Sequence, residues 1–424
     1  MTSQELRFRR VKQQFPRPVV ADAAQEMEAQ LQKLHLAQKI KTGQQIGITV
    51  GSRGIQNIVP LLQTAVAHVR ALGAKPYLLA AMGSHGGGTE AGQEELLDSL
   101  GITEASVGAP LKACAVSRPI GATAEGMTAY VLEAALEMDG ILVVNRVKTH
   151  TSFKGRVESG LMKKLVVGLG GPSGAKQFHT FGSEELPRLL VEIGEVLLDN
   201  LPILGGVAIV ENAYEETARL AALEPEQFIT GEEELLRWSK SLMPALPVQQ
   251  LDLLLIGEMG KNYSGTGVDT NIIGRIRIEG VPEPALPAIK RVAILDLSEA
   301  SHGNAHGVGL ADFVTKQLVD KIDRPKTYLN SLTSTFVIRS AIPMWFDTEE
   351  ELVKGAFVSL GDPKPQALRA VIIPNTLYLT DLWVSEALGP EIEGREDVLW
   401  DGEWEPCSYD AAGRLTLRCE LEHK

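Results

Sequence analysis

Cysteine is scarce in this chain. Its three residues, Cys114, Cys407 and Cys419, are too few and too scattered for a disulfide framework or a Cys-rich metal site, which fits a reducing compartment. No segment reaches the roughly 18 consecutive apolar residues that a membrane helix needs, and the opening Met1-Thr2-Ser3-Gln4-Glu5-Leu6-Arg7 lacks the apolar stretch of a signal peptide. The expectation is a cytoplasmic protein with no membrane partner. Positive charge is also in deficit: 41 Lys plus Arg stand against 54 Asp plus Glu, a formal net charge of -13, which argues against a nucleic-acid backbone as partner. An acidic average still permits a local positive cleft for a small anion. Internal repeats, low-complexity tracts and heptad runs are missing. So is a phosphate-loop junction: Gly174-Ala175-Lys176 lacks the Gly-Lys-Ser/Thr that would place a lysine and a hydroxyl around a nucleotide. A kinase or ATPase is therefore disfavoured, and magnesium-dependent nucleotide hydrolysis would be its test.

At 424 residues the chain is too long for one ordinary core, and a prior of about 150 residues per domain gives two or three. Strand and helix patterns alternate as in α/β proteins. Gln45 to Val50 reads as a strand, and after Gly51-Ser52-Arg53-Gly54 a helical pattern runs from Ile55 to Leu72 and stops at Gly73. Lys75 to Met82 reads as the next strand, followed by a loop from Gly83 and a helix from Thr89 to Leu100. A third unit pairs a helix near Thr128 to Glu137 with an apolar strand from Gly140 to Asn145. Parallel strands need such crossovers, and their loops emerge at one end of the sheet, where open α/β folds build their sites. Arg53, His85 and His150 all fall at or just beyond predicted strand ends.

A boundary is expected near Leu242-Met243-Pro244-Ala245-Leu246-Pro247, dividing a domain of residues 1–246 from one of residues 247–424. In the second, Leu251 to Gly257, Arg291 to Leu297 and Ala370 to Pro374 read as strands and Gly309 to Ile322 as a helix. The expected architecture is two α/β domains with largely parallel sheets and a site in the cleft between them. The polar, Trp-containing tail from Gly389 has no assigned role.

The stretch from His150 to His179 is the richest in chemistry: two His, four Lys and six Gly in 30 residues. Glycines let backbone amides approach a ligand, a neutral imidazole can bind a metal or move a proton, and a lysine amine can attack an acyl carbon or hold a phosphate. Each of these residues taken singly fits a solvated Gly-rich loop. Their density points instead to an anionic ligand.

These residues resemble the nickel-dependent lactate racemases and their homologues, over Gln45 to roughly Gly182. The elements of the resemblance are Ser52-Arg53 after a strand, then Gly83-Ser84-His85 entering a helix with Thr89, Glu94 and Glu95. His150 follows, with Ser159-Gly160-Leu161-Met162-Lys163, Gly168-Leu169-Gly170-Gly171 and finally His179. Four spaced polar elements in order are more specific than any one motif. The resemblance implies a nickel-pincer nucleotide, a pyridinium mononucleotide carrying nickel between two sulfurs and a carbon. Lys163 would hold it covalently and His179 would be the protein's nickel ligand. Ser52, Ser159, Gly160, Gly168, Gly170 and Gly171 would contribute cofactor binding. His85 and His150 would serve as alternating bases on the two faces of a 2-hydroxy acid, and Arg53 would pair with its carboxylate. The implied activity is racemisation or epimerisation of a 2-hydroxy acid, or of a sugar acid. The implied partners are the enzymes that make the cofactor. A non-catalytic nickel or nucleotide-cofactor binding protein of the same fold is the alternative.

Two features depart from the family pattern. Val50-Gly51 stands where the family commonly has an Asp. The second domain carries Gly257-Glu258-Met259-Gly260-Lys261-Asn262-Tyr263-Ser264-Gly265-Thr266-Gly267 in place of a Gly-Gly-x-Pro-Leu-Asp stretch, which points to a substrate other than lactate. Lys261 is the candidate to close over that substrate, beside the reading as a surface-turn lysine. His302 and His306 have metal-like spacing, but Gly303 and Gly307 argue against a helix presenting both. Gly231-Glu232-Glu233-Glu234 reads as a solvated first helical turn.

Overall fold

The computed structural model describes residues 5–419. The chain divides into two compact units, Pro16–Met243 and a second made of the segment from Pro244 onward with the residues up to Phe15. Among the described residues no helix is long and apolar enough to cross a membrane.

The unit Pro16–Met243 is built on a six-stranded sheet in the order Leu111–Lys112, Lys75–Ala80, Gln45–Val50, Gly140–Arg146, Ile203–Glu211, Thr217–Leu223. All neighbours run parallel except the last strand, which is antiparallel to Ile203–Glu211. The strands are apolar at nearly every position because both faces are covered. Along Gly140–Arg146, Ile141 and Val143 enter one hydrophobic cluster while Leu142 and Val144 enter the other, the alternation that a pleated strand imposes. Helices Ala23–Lys33 and Ile58–Ala71 cover one face through Met27, Leu31, Leu61, Leu62 and Val69. Helices Leu186–Asn200 and Phe228–Ser241 cover the other through Leu189, Leu190, Ile193, Phe228 and Leu235. Each such side chain contributes about 1.5–3 kcal/mol on full burial, so the strand ends are fixed points from which loops depart. The chain enters at Gln45–Val50 and winds outward through Lys75–Ala80. It then returns to the opposite side of its first strand at Gly140–Arg146, which creates a topological switch point between those two strands.

The second unit carries an eight-stranded sheet in the order Met344–Phe346, Phe313–Thr315, Ala288–Leu297, Gln250–Met259, Ala370–Ile373, Asp381–Ser385, Arg7–Gln13, Val398–Pro406. The first five strands run parallel and the last three join antiparallel. Both units are thus α/β with mostly parallel sheets. The first strand belongs to this unit, so the expected domain of residues 1–246 yields its opening segment to the other unit. The physical reason is the alternation of Arg7–Gln13: Phe8 and Val11 are fully buried, and the strand needs partners on both edges. The tail after Gly389 supplies one of them, Val398–Pro406.

Two expected helices are corrected. Thr128–Leu132 is a strand, paired antiparallel with Ser117–Ala122, and only Glu133–Leu136 is helical; the β-branched and aromatic run Thr-Ala-Tyr-Val-Leu favours the pleated surface that the hairpin supplies. The stretch from Gly309 to Ile322 is a strand, Phe313–Thr315, followed by the short helix Lys316–Asp320, with Thr315 as its N-cap. A short apolar run has no period that separates a buried strand from a buried helix.

Candidate active site

Loops from both sides of the switch point carry the polar residues. After Gln45–Val50 come Ser52 and Arg53; after Lys75–Ala80 comes His85, whose backbone N–H donates to Met82 O at 3.2 Å. After Gly140–Arg146 the chain continues to His150. Ser52 Oγ contacts His85 Nδ1, which leaves the ring's other nitrogen for different work. The His85 side chain is exposed; desolvation by the loops around the ring, then the charges of Arg53, Lys163, His179 and Lys164, lower its pKa well below the ordinary value, which favours the neutral imidazole.

The loop between Thr149 and Glu158 is shaped from inside by a carboxylate. Glu158 is fully buried and accepts from Thr149 Oγ1 at 2.8 Å, from the His150 N–H at 2.8 Å and from Lys240 Nζ at 2.7 Å. Burial would raise its pKa, but Lys240, Lys154 and the local hydrogen bonds outweigh burial and hold it low. A satisfied buried carboxylate of this kind fixes the loop that carries His150. The His150 ring stacks on Phe153 with centroids 4.2 Å apart, its Nδ1 accepts the Ser152 N–H at 3.1 Å, and its Nε2 meets Lys163 Nζ.

Lys163 closes the short helix Leu161–Lys163, which runs directly into a π-helical turn, Lys164–Leu169, and then into the helix Gly171–His179. The Gly-rich stretch is therefore helical rather than a loop. Its glycines serve close packing: a Cβ on Gly168 would lie 2.8 Å from Ala81 O, one on Gly170 2.1 Å from Val166 O, and Gly171 takes φ +63 against Leu132 and Ser117. The wide turn is a feature often found at functional sites. Here it sends two adjacent lysines into different surroundings. Lys163 keeps partial exposure beside His150 and Phe153, with its amine 5.9 Å from the Phe153 ring centroid. Lys164 is buried, with Nζ 3.4 Å from Ala81 O and against Gly51, where a Cβ would lie 2.3 Å from the amine. Burial lowers both lysines to about 7, helped at Lys163 by Arg53 and Lys148.

His179 ends the same helical run, its ring edge-on to Phe178 at 5.6 Å. Burial, and then Lys163, lower it to about 4, so this imidazole too is neutral. Arg53 is exposed; desolvation by its surroundings and then the charge of Arg146 lower its pKa, and Arg146 itself pairs with Glu211. Ser159 donates to Arg146 O at 3.4 Å and Gly160 O accepts from Asn145 Nδ2 at 2.7 Å. These contacts tie the start of the lysine helix to the end of the central strand.

The electrostatic couplings bring Arg53, His85, Lys163 and His179 into one neighbourhood, and His150 touches Lys163. Lys261 belongs to the other unit, where its amine donates to Gly265 O at 2.9 Å and His306 O at 3.0 Å. His302 is exposed with φ 47, whereas His306 is buried beside Ser340. Among the described residues no group of three or more His, Cys, Asp or Glu is arranged to hold a metal ion.

The reading of Glu232 as part of a solvated first turn is corrected. The helix begins at Phe228, and Glu232 is 1% exposed. It accepts the N–H groups of Leu161 and Met162 and stands where a Cβ on Gly160, at φ +143, would strike it. The helical spacing of Phe228, Glu232, Leu235, Leu236 and Ser239 is the signal that places it on the buried face. Glu158 and Lys164 carried no comparable signal.

A family model described as "Domain of unknown function (DUF362)" matches residues 48–227, the stretch that contains Ser52, Arg53, His85, His150, Lys163 and His179. No curated protein matches the chain. Among solved structures, the lactate racemase apoprotein from Thermoanaerobacterium thermosaccharolyticum is similar at 11% identity with a TM-score of 0.52, covering 87% of this chain and 94% of that one. The likeness is one of fold.

Proposed function

We propose that this protein is an isomerase that racemises or epimerises a small 2-hydroxy acid with the help of a nickel-pincer nucleotide. One observation carries the reading: Arg53, Lys163, His85 and His179 gather at the switch point, where desolvation first and neighbouring positive charge second lower the pKa of each. Such a cluster is relieved by an anion, and it contains both a neutral amine and a neutral imidazole. The fold likeness to a lactate racemase apoprotein supports the reaction class.

The residues fit the cofactor on their own chemistry. An amine lowered to about 7 is substantially neutral and nucleophilic at neutral pH. An imidazole lowered to about 4 is an available nitrogen donor of the type nickel accepts. Lys163 would hold the group and His179 would bind its metal, with Ser52 and Ser159 at its edge; Gly160, Gly168, Gly170 and Gly171 pack against Glu232, Ala81, Val166 and Leu132, so their part would be to shape the helical run that presents Lys163 and His179. When bound, the group supplies a reversible acceptor for the hydrogen that leaves the substrate's C2 as hydride.

The protein's own residues do the rest. Arg53 presents a planar fork to the substrate carboxylate. His85, held at Nδ1 by Ser52, takes or returns the hydroxyl proton from one face, and His150 does so from the other. Each is suited to accept a proton only while neutral, the state that desolvation and neighbouring charge favour at His85.

The test is production of the full chain together with the enzymes that make the cofactor, followed by nickel content, intact mass and a panel of 2-hydroxy acids and sugar acids. Interconversion with a slowed rate for C2-deuterated substrate is the expected result. Loaded protein that turns over no member of the panel would replace the reading with a non-catalytic binder of the same fold.

A further inference from the structure

The His150 ring is held between a donor of fixed character and an amine of variable character. On one side the Ser152 backbone N–H, which can only donate, points at Nδ1 from 3.1 Å. An imidazole nitrogen that accepts such a bond carries no proton, so in the neutral ring the proton sits on Nε2. On the other side Nε2 meets Lys163 Nζ. An Nε2–H can only donate, and an ammonium has no lone pair to receive it. The contact is therefore consistent with a neutral amine and inconsistent with a charged one.

We propose that His150, in the tautomer set by Ser152, donates its Nε2–H to the lone pair of Lys163 and so holds this lysine, the more exposed of the adjacent pair, as a neutral amine. His150 is then a positioning residue for Lys163 before anything is attached there, in addition to its role toward substrate. Several groups face the amine. Burial, then Arg53 and Lys148, disfavour its charged form, its own charge weighs on His85 and His179, and its amine stands over the Phe153 ring. Among these His150 supplies the direct hydrogen bond. Lys164 has a carbonyl oxygen, Ala81 O, as its neighbour and is buried, so an electrophile from solvent reaches Lys163 first.

The arrangement also orders events at the site, a point that rests on the proposed function. Once the Lys163 nitrogen bears an acyl-type substituent, its lone pair is delocalised into the amide and no longer accepts a proton donor well. The His150 Nε2–H is then released to donate to a substrate oxygen, and for Nε2 to accept a hydroxyl proton instead the ring must give up its bond from the Ser152 N–H and move its proton to Nδ1. The same histidine serves loading first and turnover afterwards.

The experiment uses the full chain, without cofactor, and pulse labelling with acetic anhydride across a pH series, reading acetylation of each lysine by mass spectrometry. Lys163 is expected to label with a midpoint near neutral pH. In His150→Phe, which keeps a ring against Phe153, the midpoint should rise by about one pH unit, a tenfold change in the proton equilibrium. A midpoint in the ordinary lysine range in the wild-type protein, or one that does not move in His150→Phe, overturns the proposal. Nitrogen NMR of the wild type gives a check that needs no variant: His150 should show a protonated Nε2 and a bare Nδ1, and the opposite tautomer overturns it equally. Failure of the proposed function looks different. Lys163 would then titrate as described while no cofactor adduct ever forms on it.

Discussion

Glu232, on the helix Phe228–Ser241, accepts the backbone N–H of Met162 at 3.1 Å, so a side chain from one helix caps the turn on which Lys163 stands. Burial, opposed by the bonds from Met162 and Leu161, pushes this carboxyl up to about 8. An acid whose pKa is raised on folding binds more protons folded than unfolded between the two values, so its contribution to stability falls as pH rises from 4.5 to about 8 and is level above. Glu232→Gln keeps the acceptor oxygen and removes the ionisation. Urea denaturation should find the variant more stable than wild type at pH 9 by on the order of 2–3 kcal/mol, with the difference vanishing near pH 5. Parallel pH profiles for the two proteins would refute the assignment.

Gly160 is the residue that lets Glu232 approach. At φ +143, a Cβ there would lie 2.5 Å from Glu232 Oε1, and the backbone conformation itself is strained for any other residue. Gly160→Ala is expected to destabilise the unit by roughly 2–4 kcal/mol. Adding Glu232→Ala should return part of that loss, because the two changes share one contact. Strict additivity in the double mutant would show that the collision is not what the glycine avoids.

The two lysines should separate cleanly in attachment. Lys163→Ala is expected to abolish the covalent adduct, while Lys164→Ala retains it, since the π-turn leaves only Lys163 partly exposed. Peptide mapping that finds the adduct on Lys164, or active enzyme with an adduct on neither, contradicts this.

His179→Ala should lose nickel while keeping its circular dichroism spectrum. The imidazole ends a helix whose packing rests on Ala175 and Phe178 rather than on the ring itself. Metal analysis of the loaded variant decides the matter: unchanged stoichiometry would remove His179 from the nickel site.

Replacing either His85 or His150 should suppress interconversion in both directions, because each turnover needs one base to take the hydroxyl proton and another to return it. The expected loss is about 10²- to 10⁴-fold per nickel-loaded protein. Equal rates with and without either ring would dispose of the two-base scheme.

The strands of the central sheet were legible because apolar residues in a parallel sheet buried on both faces form continuous runs, and Gln45–Val50 begins and ends where that run does. The strand-end positions of Ser52, Arg53, His85 and His150 were legible for the same reason. The amphipathic reading failed at Thr128–Leu132, where pairing with Ser117–Ala122 decided between two conformations of equal local merit. The strand Arg7–Gln13 was not read from the sequence at all, because its partners lie more than 360 residues away along the chain.

Motif order along the chain determined which residue types follow the strand ends, since glycine, lysine and histidine have their chemistry wherever they stand. Which lysine is accessible, which histidine nitrogen bears a proton and which glutamate is buried were decided by tertiary structure alone. Lys163 and Lys164 are adjacent in sequence and equal in chemistry. A π-turn parts them, setting one against His150 and the other beneath Ala81 and Gly51. Charge state follows from desolvation and hydrogen-bond partners, and both are properties of the folded surroundings rather than of the residue.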